Sequence, residues 1–178
     1  MKYCYTAKDI PRVADTGAVA VMGKPEIKDF LTIRVAGNEQ LPLDFHSDYV
    51  KAGRGPIKTF DYALEGDQDS FAVERKGLAD FIQSVVLKKS WNHELLKIER
   101  AQSWLLPVIY ILEFSFDDIG KYDYAIFKSG NVTSQYVYRK IAIMTFDYNV
   151  HLIFAGSREA AAYSVCLILK RRLESLRG

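Results

Sequence analysis

Between Ser70 and Leu87 the hydrophobic spacing changes from that of a strand to that of a helix, and the charged triplet Glu74-Arg75-Lys76 stands at the changeover. Ser70 to Val73 reads as a short strand. Leu78, Phe81, Ile82, Val85 and Val86 recur at helical spacing just beyond it. Extended backbone sends alternate side chains to opposite faces, so Glu74 and Lys76 share one face and Arg75 takes the other. The shared face then carries a carboxylate able to hold a divalent cation, and an ammonium able to sit beside a phosphate or an attacking water.

The same pattern recurs along the chain. Residues 1–26 hold Pro11, Gly17, Gly23 and Pro25 among short apolar groups and read as an irregular arm. Phe30 to Val35 is a short apolar strand, Leu41-Pro42-Leu43 an extended segment, and Phe45 to Pro56 a polar loop. Thr59 to Leu64 and Ser70 to Val73 are strands around the turn Glu65-Gly66-Asp67-Gln68-Asp69, which makes a hairpin. Helices follow over Leu78 to Leu87 and Trp91 to Trp104, the second with Leu95, Leu96 and Ile98 for its buried face. Val108 to Phe116 is a core strand. A helix capped by Thr133 or Ser134 runs to about Met144, Val150 to Ala155 is a strand, and Ser157 opens a final helix. This order predicts an α/β fold, a mixed central sheet flanked by helices, with residues 27–178 as one domain.

Composition narrows the class. A chain of 178 residues with 49% hydrophobic and 26% charged residues can bury a full core, which argues against disorder. No apolar run approaches a membrane span and the first residues lack the apolar core of a secretion signal, so an intracellular protein without membrane contact is expected, cytoplasmic if prokaryotic or phage. Cys4 and Cys166 show no metal or redox spacing, and reduced thiols are the expectation. A net charge of +2 requires any nucleic-acid footprint to be local. His46, His93 and His151 lack ligand spacing, and no nucleophile-histidine order or glycine-rich phosphate loop stands out.

Asp61 gives the triplet a partner. It lies in the strand expected to pair with the one that carries Glu74 and Lys76, so one hairpin collects all three. Two carboxylates held together repel, and a bound cation is one way to keep both ionised. Magnesium suits such a pair because it takes hard oxygen ligands. Asp67, seven residues before Glu74, is the competing acid but falls in the turn. Glu-Arg-Lys at a helix start is, by itself, more often a solvated charge cluster. Lys51, Arg54 and Lys58, interleaved with Gly53, Gly55 and Pro56, read equally as a DNA phosphate-contacting loop and as an ordinary soluble one.

Phe60-Asp61-Tyr62, Glu74-Arg75-Lys76 and Asp80 together resemble the nuclease domain of XPF, Hef and related structure-specific endonucleases, within the restriction-endonuclease-like superfamily. That family carries Gly-Asp-Tyr, then Glu-Arg-Lys, then an acid four residues after the lysine. Leu78-Ala79-Asp80-Phe81-Ile82 is similar to its helix start. Val35-Ala36-Gly37-Asn38-Glu39 is similar to its upstream Asp-x-Arg-Glu segment, with only Glu39 kept among the charged positions; Ala36, Asn38 and Phe60 depart from the pattern. The resemblance implies a Mg2+- or Mn2+-dependent endonuclease that hydrolyses DNA phosphodiesters in branched or structured DNA, in recombination or repair. It implies Asp61, Glu74 and Glu39 as metal ligands and Lys76 as the group that orients or activates water. It further implies Arg75 as a brace paired with an acid or as a contact to the DNA backbone, Asp80 as the acid that holds Arg75 or Lys76, and a homodimer through the nuclease domain. The departures at Ala36 and Asn38 motivate the alternative, a non-catalytic DNA-binding or assembly subunit with a nuclease-like fold.

Overall fold

The computed structural model describes residues 31–45, 48–104, 106–127 and 132–178. The expected arm at 1–26, its boundary at 27, Cys4 and His46 lie outside them. Six strands, β1 Leu31–Ala36, β2 Val50–Gly55, β3 Tyr62–Leu64, β4 Val73–Lys76, β5 Val108–Leu112 and β6 Val150–Phe154, form one sheet in the order β2-β1-β3-β4-β5-β6. Within it β3 runs antiparallel to both neighbours and the other pairings are parallel, which makes the sheet mixed as expected. Five helices are described, α1 Leu78–Val86, α2 Lys88–Gln102, α3 Asp118–Lys121, α4 Ser134–Phe146 and α5 Arg158–Arg177, together with a short 3-10 turn at Tyr124–Phe127. None is long and apolar enough to cross a membrane.

Alternation along the strands divides the core in two. Leu31, Ile33, Val35, Tyr62, Leu64, Val73 and Ile111 pack on one face beneath Ala161, Val165 and Leu169 of α5. Ala63, Tyr110 and Leu112 pack on the other with Phe81, Ile82 and Val85 of α1, Trp91 and Ile98 of α2, and Val137 and Met144 of α4. Each fully buried Leu, Ile, Val or Phe contributes about 1.5–3 kcal/mol, so this double burial outweighs the weak propensity of strands only a few residues long. Ser157 caps α5 as expected, its Oγ accepting from the Ala160 N–H at 3.1 Å. Thr133 occupies the cap position of α4 without a side-chain bond.

Several elements differ from the sequence reading, among them β5, which ends at Leu112 rather than Phe116. The charged triplet lies inside β4 rather than after it: the N–H groups of Ser70 and Phe71 both donate to the Asp67 carbonyl, at 2.9 and 3.0 Å, and close a turn instead of a ladder. The strand expected over Thr59 to Leu64 is confined to β3, because Phe60 takes a left-handed φ of 74°. Residues 50–55, read as part of a polar loop, form edge strand β2 against β1. Its residues are mostly exposed, so it has no apolar alternation to read, and its charges discourage further strand addition. The short α3 and the turn after it were not foreseen.

Asp67 proves to be an anchor between layers. Arg172 of α5 grips it with Nε at 2.7 Å and Nη2 at 3.1 Å. Both side chains are largely buried, and removal of one leaves the other charge without its partner. Arg172→Ala is expected to cost about 2–3 kcal/mol in urea unfolding. An unchanged midpoint would show the pair to be ornamental.

Candidate active site on the β3–β4 hairpin

The register that pairs Tyr62 with Val73 brings Asp61 across from Glu74. The Asp61 N–H donates to the Val73 carbonyl at 3.1 Å, and the Arg75 N–H donates to Asp61 Oδ2 at 2.9 Å. Glu74 and Lys76 share a face as alternation requires, with Lys76 Nζ 2.9 Å from Glu74 Oε1. Helix α2 covers that face and adds groups that the sequence reading did not include. Lys97 Nζ reaches the same Glu74 oxygen at 2.5 Å, and Glu94 Oε2 lies 3.3 Å from Lys76 Nζ. The Tyr110 hydroxyl of β5 donates to Glu94 Oε1 at 2.6 Å.

Glu94 left a readable trace. The buried stripe of α2 is Trp91, Glu94, Ile98 and Ala101, so an acid occupies one position of an otherwise apolar series. Leu96, expected on the buried face, is half exposed. Glu94 and Lys97, one helical turn apart, therefore project onto the sheet where a helix normally places hydrocarbon.

The electrostatics follow from this crowding. Burial and the adjacent Glu74 charge push Asp61 up to about 8, against the opposing Arg75 N–H and Lys97. Burial also works to raise Glu74, but the Lys76 and Lys97 ammoniums outweigh it and hold that carboxyl below its ordinary value. Burial works to lower Lys76, yet the Glu74 and Glu94 carboxylates drive it above the normal lysine range. Lys76 is thus a persistent cation and hydrogen-bond donor, suited to a phosphate oxygen and unsuited to taking a proton from water.

Arg75 is turned to the opposite face as predicted, where it belongs to a bracket. Its Nη2 donates to the Leu41 carbonyl at 2.7 Å and its Nε lies 3.0 Å from Glu113 Oε1. Arg158, at the start of α5, reaches the same Glu113 oxygen at 2.8 Å and donates to the carbonyls of Leu41 and Pro42, both at 2.7 Å. The Leu43 N–H donates to the Tyr62 hydroxyl at 2.8 Å. These bonds pin the segment after β1 against the hairpin, a bracing role for Arg75.

Two expected site residues stand elsewhere. Glu39 turns back on its own loop, with Oε1 accepting from the Leu41 N–H at 2.8 Å, and no group of three His, Cys, Asp or Glu side chains suited to a metal occurs among the described residues. Asp80 is exposed in the first turn of α1 and does not hold Arg75 or Lys76, which pair with Glu113 and with Glu74 and Glu94 instead. The helix begins only at Leu78, and this directs Asp80 outward to favour the helix dipole.

The three basic residues expected at DNA do not form one loop. Lys51 and Arg54 lie on β2, where Arg54 Nη1 donates to the Gly37 carbonyl at 3.1 Å, and Lys58 pairs with Asp69 at 2.7 Å. Lys58, Arg100 and Trp104 line an open cleft of about 600 Å³ beside the hairpin.

A divalent cation fits Asp61 and Glu74 by two observations. Glu74 Oε2 is buried with no hydrogen-bond partner, and Asp61 gains from any cation that relieves its repulsion with Glu74. Magnesium commonly uses one or two protein carboxylates and keeps waters for the rest, so two suffice.

Phe60 shapes this corner. Its left-handed φ of 74° is costly for an aromatic residue, while its buried ring packs edge-on against Trp104 and Tyr110 at 5.9 and 5.5 Å. Phe60→Gly relieves about 1 kcal/mol of backbone strain but removes a ring whose loss costs about 3–5 kcal/mol. Net destabilisation of about 2–4 kcal/mol is expected in chemical denaturation, and a gain in stability would show the strain to dominate.

The chain matches the family model described as the ERCC4 domain over residues 8–168. Its fold is similar to XPF from Aeropyrum pernix, at 20% identity with a TM-score of 0.58, over 82% of this chain and 68% of that one. It is also similar to XPF from Aeropyrum pernix in complex with DNA, at 18% identity and a TM-score of 0.60, over 82% of this chain and 66% of that one. At this identity the likeness extends to the fold alone. No curated protein matches the sequence.

Proposed function

Because this chain belongs to the ERCC4 domain family, a nuclease-type domain, we propose that it is a metal-dependent DNA endonuclease acting on branched or structured DNA in recombination or repair. The observation that carries this reading is the facing pair Asp61 and Glu74, with a partnerless Glu74 Oε2 and the Lys76 ammonium 2.9 Å from the other oxygen. Asp61 and Glu74 would hold Mg2+ or Mn2+. When bound, such an ion activates water and offsets charge on the phosphate. Lys76 donates to a phosphate oxygen and stabilises the charge that builds there as the bond breaks. Glu94, itself held by Tyr110, keeps Lys76 aimed, and the Arg75–Glu113–Arg158 bracket keeps the hairpin and the segment after β1 in register.

DNA as the partner is supported by the family and by the DNA-bound XPF relative. The cleft lined by Lys58, Arg100 and Trp104 offers cations for the backbone and an indole face for a base. Dimerisation through the later helices belongs to the same reading, since one small domain offers little area for DNA. Exposed Phe146 of α4 and Ile153 of β6 give it apolar surface.

Incubation of forked, flapped and linear duplex DNA with Mg2+ or Mn2+ tests the activity. Cleavage by the wild type that is lost in Glu74→Gln and in Lys76→Met is the expected result. Gln keeps the volume and an acceptor for the lysines, so the variant isolates the charge. The alternative, a non-catalytic DNA-binding or assembly subunit, is favoured by the two ammoniums already on Glu74 and by the bond that ties Glu39 to the Leu41 N–H. Binding of forked DNA with no cleavage under either metal would decide for it.

A further inference from the structure

Lys97 stands on the carboxylate that a metal would need. Its Nζ is 2.5 Å from Glu74 Oε1 and 3.7 Å from Glu94 Oε1. The Phe60 ring forms its wall, with the ammonium 5.7 Å from the ring centroid. Phe60 stands where the family pattern has glycine, so this wall is a property of the present chain. The Lys97 side chain is 19% exposed, against 14% for Lys76 and 3% for Glu74. Lys97 therefore has a path to water that Glu74 lacks, and it approaches from helix α2, whereas Lys76 is fixed to the strand itself.

We infer that Lys97 is an internal counter-cation that caps Glu74 in the metal-free protein and must be displaced for a divalent cation to bind, which rests on the reading of Asp61 and Glu74 as the metal pair. The charges make the exchange necessary. Glu74 and Glu94 face Lys76 and Lys97, so with Lys97 in place the two ammoniums offset the two carboxylates that hold them. At a few ångströms from a divalent ion, an ammonium on the same carboxylate is strongly repelled in a site of low polarity. Displaced along its stem past Phe60, the lysine trades a carboxylate for solvent and leaves Glu74 with Oε2 free and Lys76 as the remaining ammonium on Oε1. The device sets a threshold: the site stays closed and stable until the cation concentration is high enough to replace the lysine.

Mn2+ binding followed by electron paramagnetic resonance, without DNA, reads this directly. Lys97→Met and Lys97→Gln are expected to bind Mn2+ at least about tenfold more tightly than the wild type, and Lys97→Arg, which keeps the charge, about as weakly as the wild type or more weakly. A second readout uses the wild type alone: Mg2+ speeds acetylation of Lys97 by acetic anhydride, located by mass spectrometry. Equal affinities in wild type, Lys97→Met and Lys97→Gln, with Glu74→Gln still weakening Mn2+ binding, overturn the inference and leave the metal reading standing. If Mn2+ binding is insensitive to Glu74→Gln, the metal reading itself fails and takes this inference with it. Lys97 acetylation that is indifferent to Mg2+ also overturns the displacement.

Discussion

Asp61→Asn is expected to raise unfolding stability at pH 7 by about 2–4 kcal/mol while it removes a residue assigned to the metal. The sign follows from the direction of the shift. Asp61 moves from an ordinary 3.8 to about 8 in the folded state, so the native protein holds a proton that the unfolded chain releases. Stability associated with that proton is fully present below the unfolded value and is lost as pH rises through about 8. Asn mimics the protonated acid, keeps an acceptor for the Arg75 N–H and carries no such penalty. The gain should therefore be near zero below pH 4 and grow toward pH 8, as measured by urea unfolding across that window. A constant difference at all pH values, or a loss at pH 7, would refute the argument. Such a liability is common where a site must gather like charges.

Glu74→Ala should do the opposite, with a loss of about 3–5 kcal/mol and of all DNA cleavage. Glu74 is almost wholly buried and takes Lys76 and Lys97 on one oxygen, so its removal leaves two ammoniums with Glu94 alone to pair them. Lys97 can turn toward water and Lys76, on the strand, cannot go far; Glu94 is left to hold it. The double variant Glu74→Ala/Lys97→Met should recover part of the stability and none of the cleavage. Additive losses in that cycle would mean that Glu74 and Lys97 do not interact. Because Glu74 supports the fold as well as the proposed chemistry, loss of activity in the alanine variant has to be read beside its melting curve.

These two residues show how far the sequence carried. Alternation alone placed Glu74 and Lys76 on one face and Arg75 on the other, and the hairpin pattern placed Asp61 near them. Helical spacing found α1 and α2 because each has an apolar face, and cap residues found α4 and α5. Edge strand β2 escaped because its side chains meet water, so backbone pairing with β1 is all that defines it. Phe60 delayed the start of a predicted strand because a left-handed φ stabilised by ring packing has no signature in local composition.

What the sequence determined by itself was the mixed sheet with flanking helices, the family pattern from Asp61 through Lys76 and the face on which its charges lie, since all of these depend on local period and residue type. Only the tertiary structure decided which charges meet. Lys97, Glu94, Glu113 and Arg158 join the site from elements distant in the chain, Glu39 is held by the Leu41 N–H, Asp80 is exposed, and the titration of Asp61 follows from that company. Local period fixes direction within an element, whereas a Coulomb interaction depends on distance between elements, which exists only once the layers have packed.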